Sequence, residues 1–298
     1  MRVKRTCFIK TTEIPTFTTL KIRINMKTLF TGSLSKMQFT NAGSELEIKP
    51  EYFIQSDSGK LHMNNLIGKE ITIRYDGKIN CMSCGKLTKK SYGQGYCYPC
   101  FISIPQTEEC VIRPELCRAH EGIARDMEYA KKHCLTDQYI YLALSGGLKV
   151  GVTRYHQIPT RWVDQGANFA IKLAIAKNRH TAGVIEVSLK QIFADKTNWR
   201  KMLTGNDNEI PLMEQKAKAI EHIKDRDIEF TEAENVIYTI SYPVEQFPTK
   251  VTSVNFDKKP EYNGVLTGIK GQYLMFDGNT VLNIRRHGGY NIEMLVGE

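Results

Sequence analysis

From Met26 to Asn80 short apolar runs alternate with glycine-marked turns. Leu46–Ile48, Tyr52–Gln55 and Ile71–Tyr75 are strand-length segments, punctuated by Gly43, Gly59, Gly68 and Gly77. The far end repeats this texture: Val236–Tyr242 is strand-like, and Tyr273–Phe276 runs into Asp277-Gly278-Asn279, a strong hairpin cue. Both ends therefore read as small antiparallel sheets or half-barrels, with packing of one against the other an open alternative. The middle of the chain has a different rhythm. Tyr139–Leu144 is a continuous apolar run, Ser145-Gly146-Gly147 makes a turn, and Leu148–Thr153 returns as a second strand. Pro159 opens a short helix through Arg161, Trp162 and Val163 that stops near Gly166. Phe169, Ile171, Leu173 and Ile175 alternate with Ala170, Lys172, Ala174 and Ala176, a period of two that predicts a strand and not more helix. A helix follows over about 181–193, with Val184, Val187 and Leu189 inward and Glu186 at its start. The predicted order is β-β-α-β-α. Met213–Lys224, rich in Glu, Lys and Ala, reads as a solvated packing helix.

Composition adds bounds. The 298 residues predict about two domains, and 41% hydrophobic with 24% charged content is that of a globular chain. No run approaches the roughly 20 apolar residues that a membrane span needs, so no membrane partner is expected. The formal charge is +9, but residues 1–25 hold six basic residues against Glu13 and account for +5 of it. The text changes at Met26, so the leader reads as a disordered basic arm or a mis-called start. Within residues 137–200 nine basic residues face four acidic ones, and the remaining positive charge concentrates there.

Cysteines carry the strongest chemical signal. Cys81, Cys84, Cys97 and Cys100 form a C-x2-C-x12-C-x2-C array. Two such knuckles aim four thiolates at one tetrahedral centre, the arrangement of a closed structural zinc site. Cys110, Cys117, His120 and Cys134 offer three thiolates and an imidazole for a second zinc, against the alternative of small apolar core cysteines. Clustering of this kind, without an apolar signal segment, points to a reduced, cytoplasmic protein and not a disulfide framework.

The central segment resembles the GIY-YIG endonuclease superfamily. Tyr139-Ile140-Tyr141 stands where that family has its first motif and Lys149-Val150-Gly151 where it has the second. Arg161 matches the family's arginine on its first helix, and Glu186 its metal-binding glutamate on a later one. Residues 26–298, with the ribbon, Arg113–Cys117 and Arg161–Ala167, are also similar to an uncharacterised bacterial domain-of-unknown-function family. The expected fold is thus α+β: a GIY-YIG-like core over 135–226, a zinc ribbon and second Cys/His cluster over 81–134, and β regions over 26–80 and 227–298. The family's first glycine is Tyr139 here, and the tyrosine of its second motif is Lys149.

What the resemblance implies is phosphodiester hydrolysis, with Glu186 holding Mg2+, Arg161 neutralising phosphate and Tyr141 near the attacking water. One carboxylate suffices for an ion that keeps several waters. Lys149, Arg154 and Arg179 are the expected nucleic-acid contacts, Lys149 binding phosphate where the family has a tyrosine. Gln165 and Asn178 are further candidates to line the groove. Three classes stay open: a divalent-metal-dependent endonuclease, a catalytically silent DNA- or RNA-binding protein, and a zinc-stabilised protein-interaction module.

Overall fold

The computed structural model describes residues 26–56, 59–193, 198–205 and 210–297. The leader, with Cys7, lies outside them. The chain is a mixed α+β protein, rich in strands and short of helices, and among the described residues no helix is long and apolar enough to cross a membrane.

At the centre, strands β1 (Gln138–Leu144) and β2 (Leu148–Arg154) form a hairpin. A short helix α1 (Thr160–Asp164) leads to β3 (Phe169–Ala176), which pairs antiparallel with the other edge of β1. Helix α2 (Arg179–Leu189) and, further on, α3 (Leu212–Lys224) then cover the sheet. The β-β-α-β-α order is the expected one. Both faces of β1 are buried, which is why its sequence is a continuous apolar run and not an alternation. Ile140 and Leu142 pack with Ile185, Leu189, Ile220 and Ile223 of the two helices. Tyr141 and Ala143 point the other way, into a core with Trp162, Tyr238 and the apolar side chains of the largest sheet.

Helix α2 differs in detail from its expected form. It presents Ala182, Ile185 and Leu189 inward at helical spacing, and Val187 is 42% exposed instead of buried. It is capped by the Asn178 side chain, which accepts from Thr181 N–H at 2.9 Å, so Glu186 stands in the last third of the helix and not at its start. Helix α3 is less solvated than its composition suggests: Lys216 is 2% exposed, and its Nζ donates to the Ala233 and Glu234 carbonyls.

The two β regions do not stand apart. Strand Glu70–Asn80 lies between Glu261–Lys270 and Tyr290–Gly297, and Met26–Ser33 pairs with the outer edge of Tyr290–Gly297. One eight-stranded sheet therefore draws on both ends of the chain. The Asp277-Gly278-Asn279 turn joins two antiparallel strands as its sequence predicts, with Phe276 opposite Thr280. Strand β4 (Ile237–Ile240) crosses to the central sheet, pairing with β3 on one side and with Glu47–Ile48 on the other.

Residues 105–121, helix-prone in sequence, form four 3-10 turns in place of a helix. The third of these packs against α2 at Gly183, where a Cβ would stand 2.1 Å from the Glu115 backbone nitrogen. Gly183→Ala is expected to destabilise the protein by about 1–3 kcal/mol, because overpacking against backbone outweighs the gain in helix propensity of roughly 1 kcal/mol. Chemical denaturation checks the sign: a more stable variant would contradict the close approach.

Candidate functional site: a basic cavity beside two cysteine clusters

Register sets the first part of the site. Tyr141 lies opposite Gly151, and Ala143 opposite Lys149, so Tyr141, Lys149 and Gly151 share one face of the β1–β2 hairpin. Gly151 is required there, since a Cβ would come within 2.6 Å of the Tyr141 hydroxyl oxygen. Arg161 from α1 and Glu186 from α2 reach the same place, and the three residues expected to do chemistry line one cavity of about 440 Å³. Arg154 and Arg179 line it as well.

The electrostatics tie these groups together. Burial raises the Tyr141 phenol above its ordinary pKa; Arg161 pulls it back, Glu186 adds to the rise, and the bond to Gln165 lowers it. The phenol is thus a neutral donor, giving its proton to Gln165 Oε1 at 2.9 Å. Lys149 is 5% exposed, and burial, reinforced by the Arg161 guanidinium and opposed by Glu186, brings its pKa down to about 8.

Three cavity cations were not legible as site residues. Lys36 comes from the loop after the first strand, Lys190 follows α2, and Arg285 sits on the turn Arg285–His287 of the large sheet. Only Lys190 carried a local signal, being one turn beyond Glu186, which it approaches at 3.6 Å. Asp164, the natural helix partner for Arg161, is instead bound by Lys36 Nζ at 2.6 Å and by Gln272 Nε2 at 2.9 Å. Two of the expected nucleic-acid contacts are also engaged within the protein. Arg179 donates to the Cys110 and His133 carbonyls at 3.2 and 3.3 Å, and Arg154 packs its guanidinium on the His133 ring nitrogen. In all, seven cationic side chains and two carboxylates line the cavity. A larger cleft of about 770 Å³ lies between the segment around Cys81 and the large sheet, but its Arg74 is taken up by Glu261 and Glu293.

The cysteines gather as two clusters able to hold a metal. The Cys81, Cys84, Cys97 and Cys100 sulfurs lie within 4.8 Å of one another. Cys84 and Cys97 Sγ are 3.8 Å apart, which is the edge of a tetrahedron with metal–sulfur bonds of about 2.3 Å. Burial raises the Cys81 thiol, but the backbone N–H groups of Cys84, Cys97 and Ser83 outweigh it and bring it to about 6. Cys110, Cys117 and Cys134 form the second cluster, all buried and within 4.8 Å. Hydrogen bonds from the other two thiols pull Cys117 down, helped by Arg179. His120 is outside this group: its ring stacks on His180 with centroids 4.4 Å apart and faces Glu121. No disulfide forms among the described cysteines.

A family profile described as "Protein of unknown function (DUF2797)" matches residues 68–292. The chain belongs to the DUF2797 family. The matched span includes both cysteine clusters, all of the central sheet but its Glu47–Ile48 strand, and most of the large sheet, and it contains every residue of the basic cavity named above except Lys36. No curated protein and no solved structure matches the chain.

Proposed function

We propose that the cavity binds a phosphate of a nucleic-acid strand and, with a divalent ion at Glu186, hydrolyses the phosphodiester. The convergence of seven cationic side chains on one cavity with a carboxylate at its wall carries this reading. The β-β-α-β-α order, with Tyr141 facing the Lys149-Val150-Gly151 strand, supports the resemblance to GIY-YIG endonucleases. The donor set fits a hydrated Mg2+: Asp164 is held by Lys36 and Gln272, and Glu186, on the cavity wall, is the carboxylate that the resemblance assigns to the ion, one carboxylate sufficing for an ion that keeps several waters. Such an ion would polarise the phosphate and ease its attack by water. Arg161 neutralises a phosphate oxygen, Lys149 contributes a buried positive charge, and Tyr141, held as a neutral donor by Gln165, orients the groups around it. The two cysteine clusters take zinc, four thiolates at the first and three at the second, and the second fixes the segments of Cys110 and His133 that hold Arg154 and Arg179.

Lys149 standing in place of a family tyrosine favours a second reading, a catalytically silent nucleic-acid binder. Both readings share the binding step, which fluorescence anisotropy with labelled oligonucleotides tests. Affinity is expected to fall steeply with salt, and Arg161→Ala with Lys149→Ala to lower both the affinity and the salt slope. A pH limb follows from Lys149. A lysine is positive below its pKa, so its phosphate contact is complete near pH 7 and is lost as the pH rises through about 8. Lys149→Met removes that limb. If no oligonucleotide binds at low salt, the third class, a protein-interaction module, replaces this reading.

A further inference from the structure

The zinc ribbon is more than a staple. Its outer loop carries Lys89 and Lys90, both exposed, and these line a second cleft of about 450 Å³ together with Arg286. The acidic residue in that cleft, Asp257, already accepts a hydrogen bond from Tyr290 at 3.0 Å, so the lysines and the arginine dominate its charge. Lys90 Nζ lies over the Tyr92 ring at 5.2 Å, and the Tyr92 ring meets that of Tyr98 at 5.4 Å, the latter 55% exposed. Cations interleaved with an open aromatic face are what a polynucleotide backbone and its unpaired bases require.

One turn contributes to both this cleft and the core cavity. Arg285 lines the cavity and the next residue, Arg286, lines the ribbon cleft. The ribbon is seated closely on that turn: a Cβ on Gly288 would stand 2.5 Å from the Gln94 carbonyl oxygen. The backbone N–H of Asn80, at the ribbon's entry, donates to the Gly289 carbonyl at 2.7 Å.

Resting on the phosphate-binding reading above, we propose that a single polynucleotide strand with one phosphate in the core cavity continues across the Arg285–Arg286 turn to Lys89 and Lys90, where an unpaired base stacks on Tyr98. The ribbon is then the second half of the binding track, and the ligand class is an unpaired strand and not a closed duplex, whose bases have no free face to offer Tyr98.

Anisotropy with single strands of about 4 and about 12 nucleotides tests this, spanning the site sizes usual for unpaired-strand binders. The wild-type chain is expected to bind the longer strand more tightly. Lys89→Glu, Lys90→Glu and Arg286→Glu together should weaken the longer strand at least tenfold and leave the shorter one unchanged. Three contacts at ~0.7 each should also make the slope of log K against log salt shallower by about 2. Tyr98→Ala should weaken the longer strand by about fivefold or more without altering that slope. Zinc content and thermal midpoint, measured on each variant, verify that the ribbon is intact. Equal affinity of the two lengths, or losses that are the same for both, would overturn the track while leaving the cavity in place. A duplex that outcompetes the single strand and depends equally on the three cations would overturn the unpaired-strand assignment. Absence of binding by either length at low salt would remove the cavity reading and the track together.

Discussion

Glu186→Ala is expected to abolish Mg2+-dependent cleavage, by a factor of at least ~10², while leaving oligonucleotide affinity nearly intact. The separation of the two effects comes from the charge layout. Glu186 is an anion among seven cations, so it has no favourable contact to make with a phosphate and its removal takes away only the anchor for the ion. Its loss also removes the carboxylate that Lys190 approaches at 3.6 Å, so the cavity becomes more positive by one charge. Arg161→Ala, by contrast, should weaken binding as well as cleavage. Cleavage surviving in Glu186→Ala would show the assigned role to be wrong, and a parallel loss of binding would show Glu186 to be holding the cavity together.

Cys97→Ser should release one zinc per chain and lower the unfolding free energy by several kcal/mol, a large share of the roughly 5–15 kcal/mol that holds an ordinary domain. The expectation rests on geometry: four thiolates within 4.8 Å of one another repel unless a cation sits among them, and large side chains of this segment, among them Met82, Leu87, Tyr98 and Ile102, are open to solvent. With so little apolar burial, the metal supplies what a core would. Elemental analysis and thermal unfolding read both effects. Cys117→Ser should release the second ion, because Cys110 and Cys134 alone do not make a closed site. Metal-free protein that unfolds at the wild-type midpoint would end the zinc reading.

Much of the central region was legible because its signals are local. The β1–β2 hairpin is written as two apolar runs about a Ser-Gly-Gly turn, and β3 as an alternation, so all three strands appear where these local signals put them. The face of α2 was misjudged at Val187 because hydrophobicity alone does not say which stripe meets the sheet; Ala182 and Gly183, small enough for close packing, mark the buried side better than a valine does. The convergence of Tyr141, Arg161 and Glu186 on one cavity follows from strand register and helix placement. Lys36 and Arg285 are not legible for the opposite reason: each stands in a segment with no motif, about a hundred residues or more from Arg161 and Glu186 along the chain.

By itself the sequence determined the four-cysteine cluster, the β-β-α-β-α order and the residues presented by the hairpin. Ligand spacing, turn chemistry and side-chain period act over a few residues, and local sterics decide them. Tertiary structure alone decided that strands 26–33, 70–80, 261–270 and 290–297 interleave in one sheet, because strand pairing across some two hundred residues depends on complementary faces that no local pattern encodes. It also decided that His120 stacks on His180 instead of joining three thiols, and that Asp164 binds Lys36 and leaves Arg161 to the cavity. Competition among charged groups is settled by which of them the packed elements bring within about 4 Å, because Coulomb attraction falls off with distance.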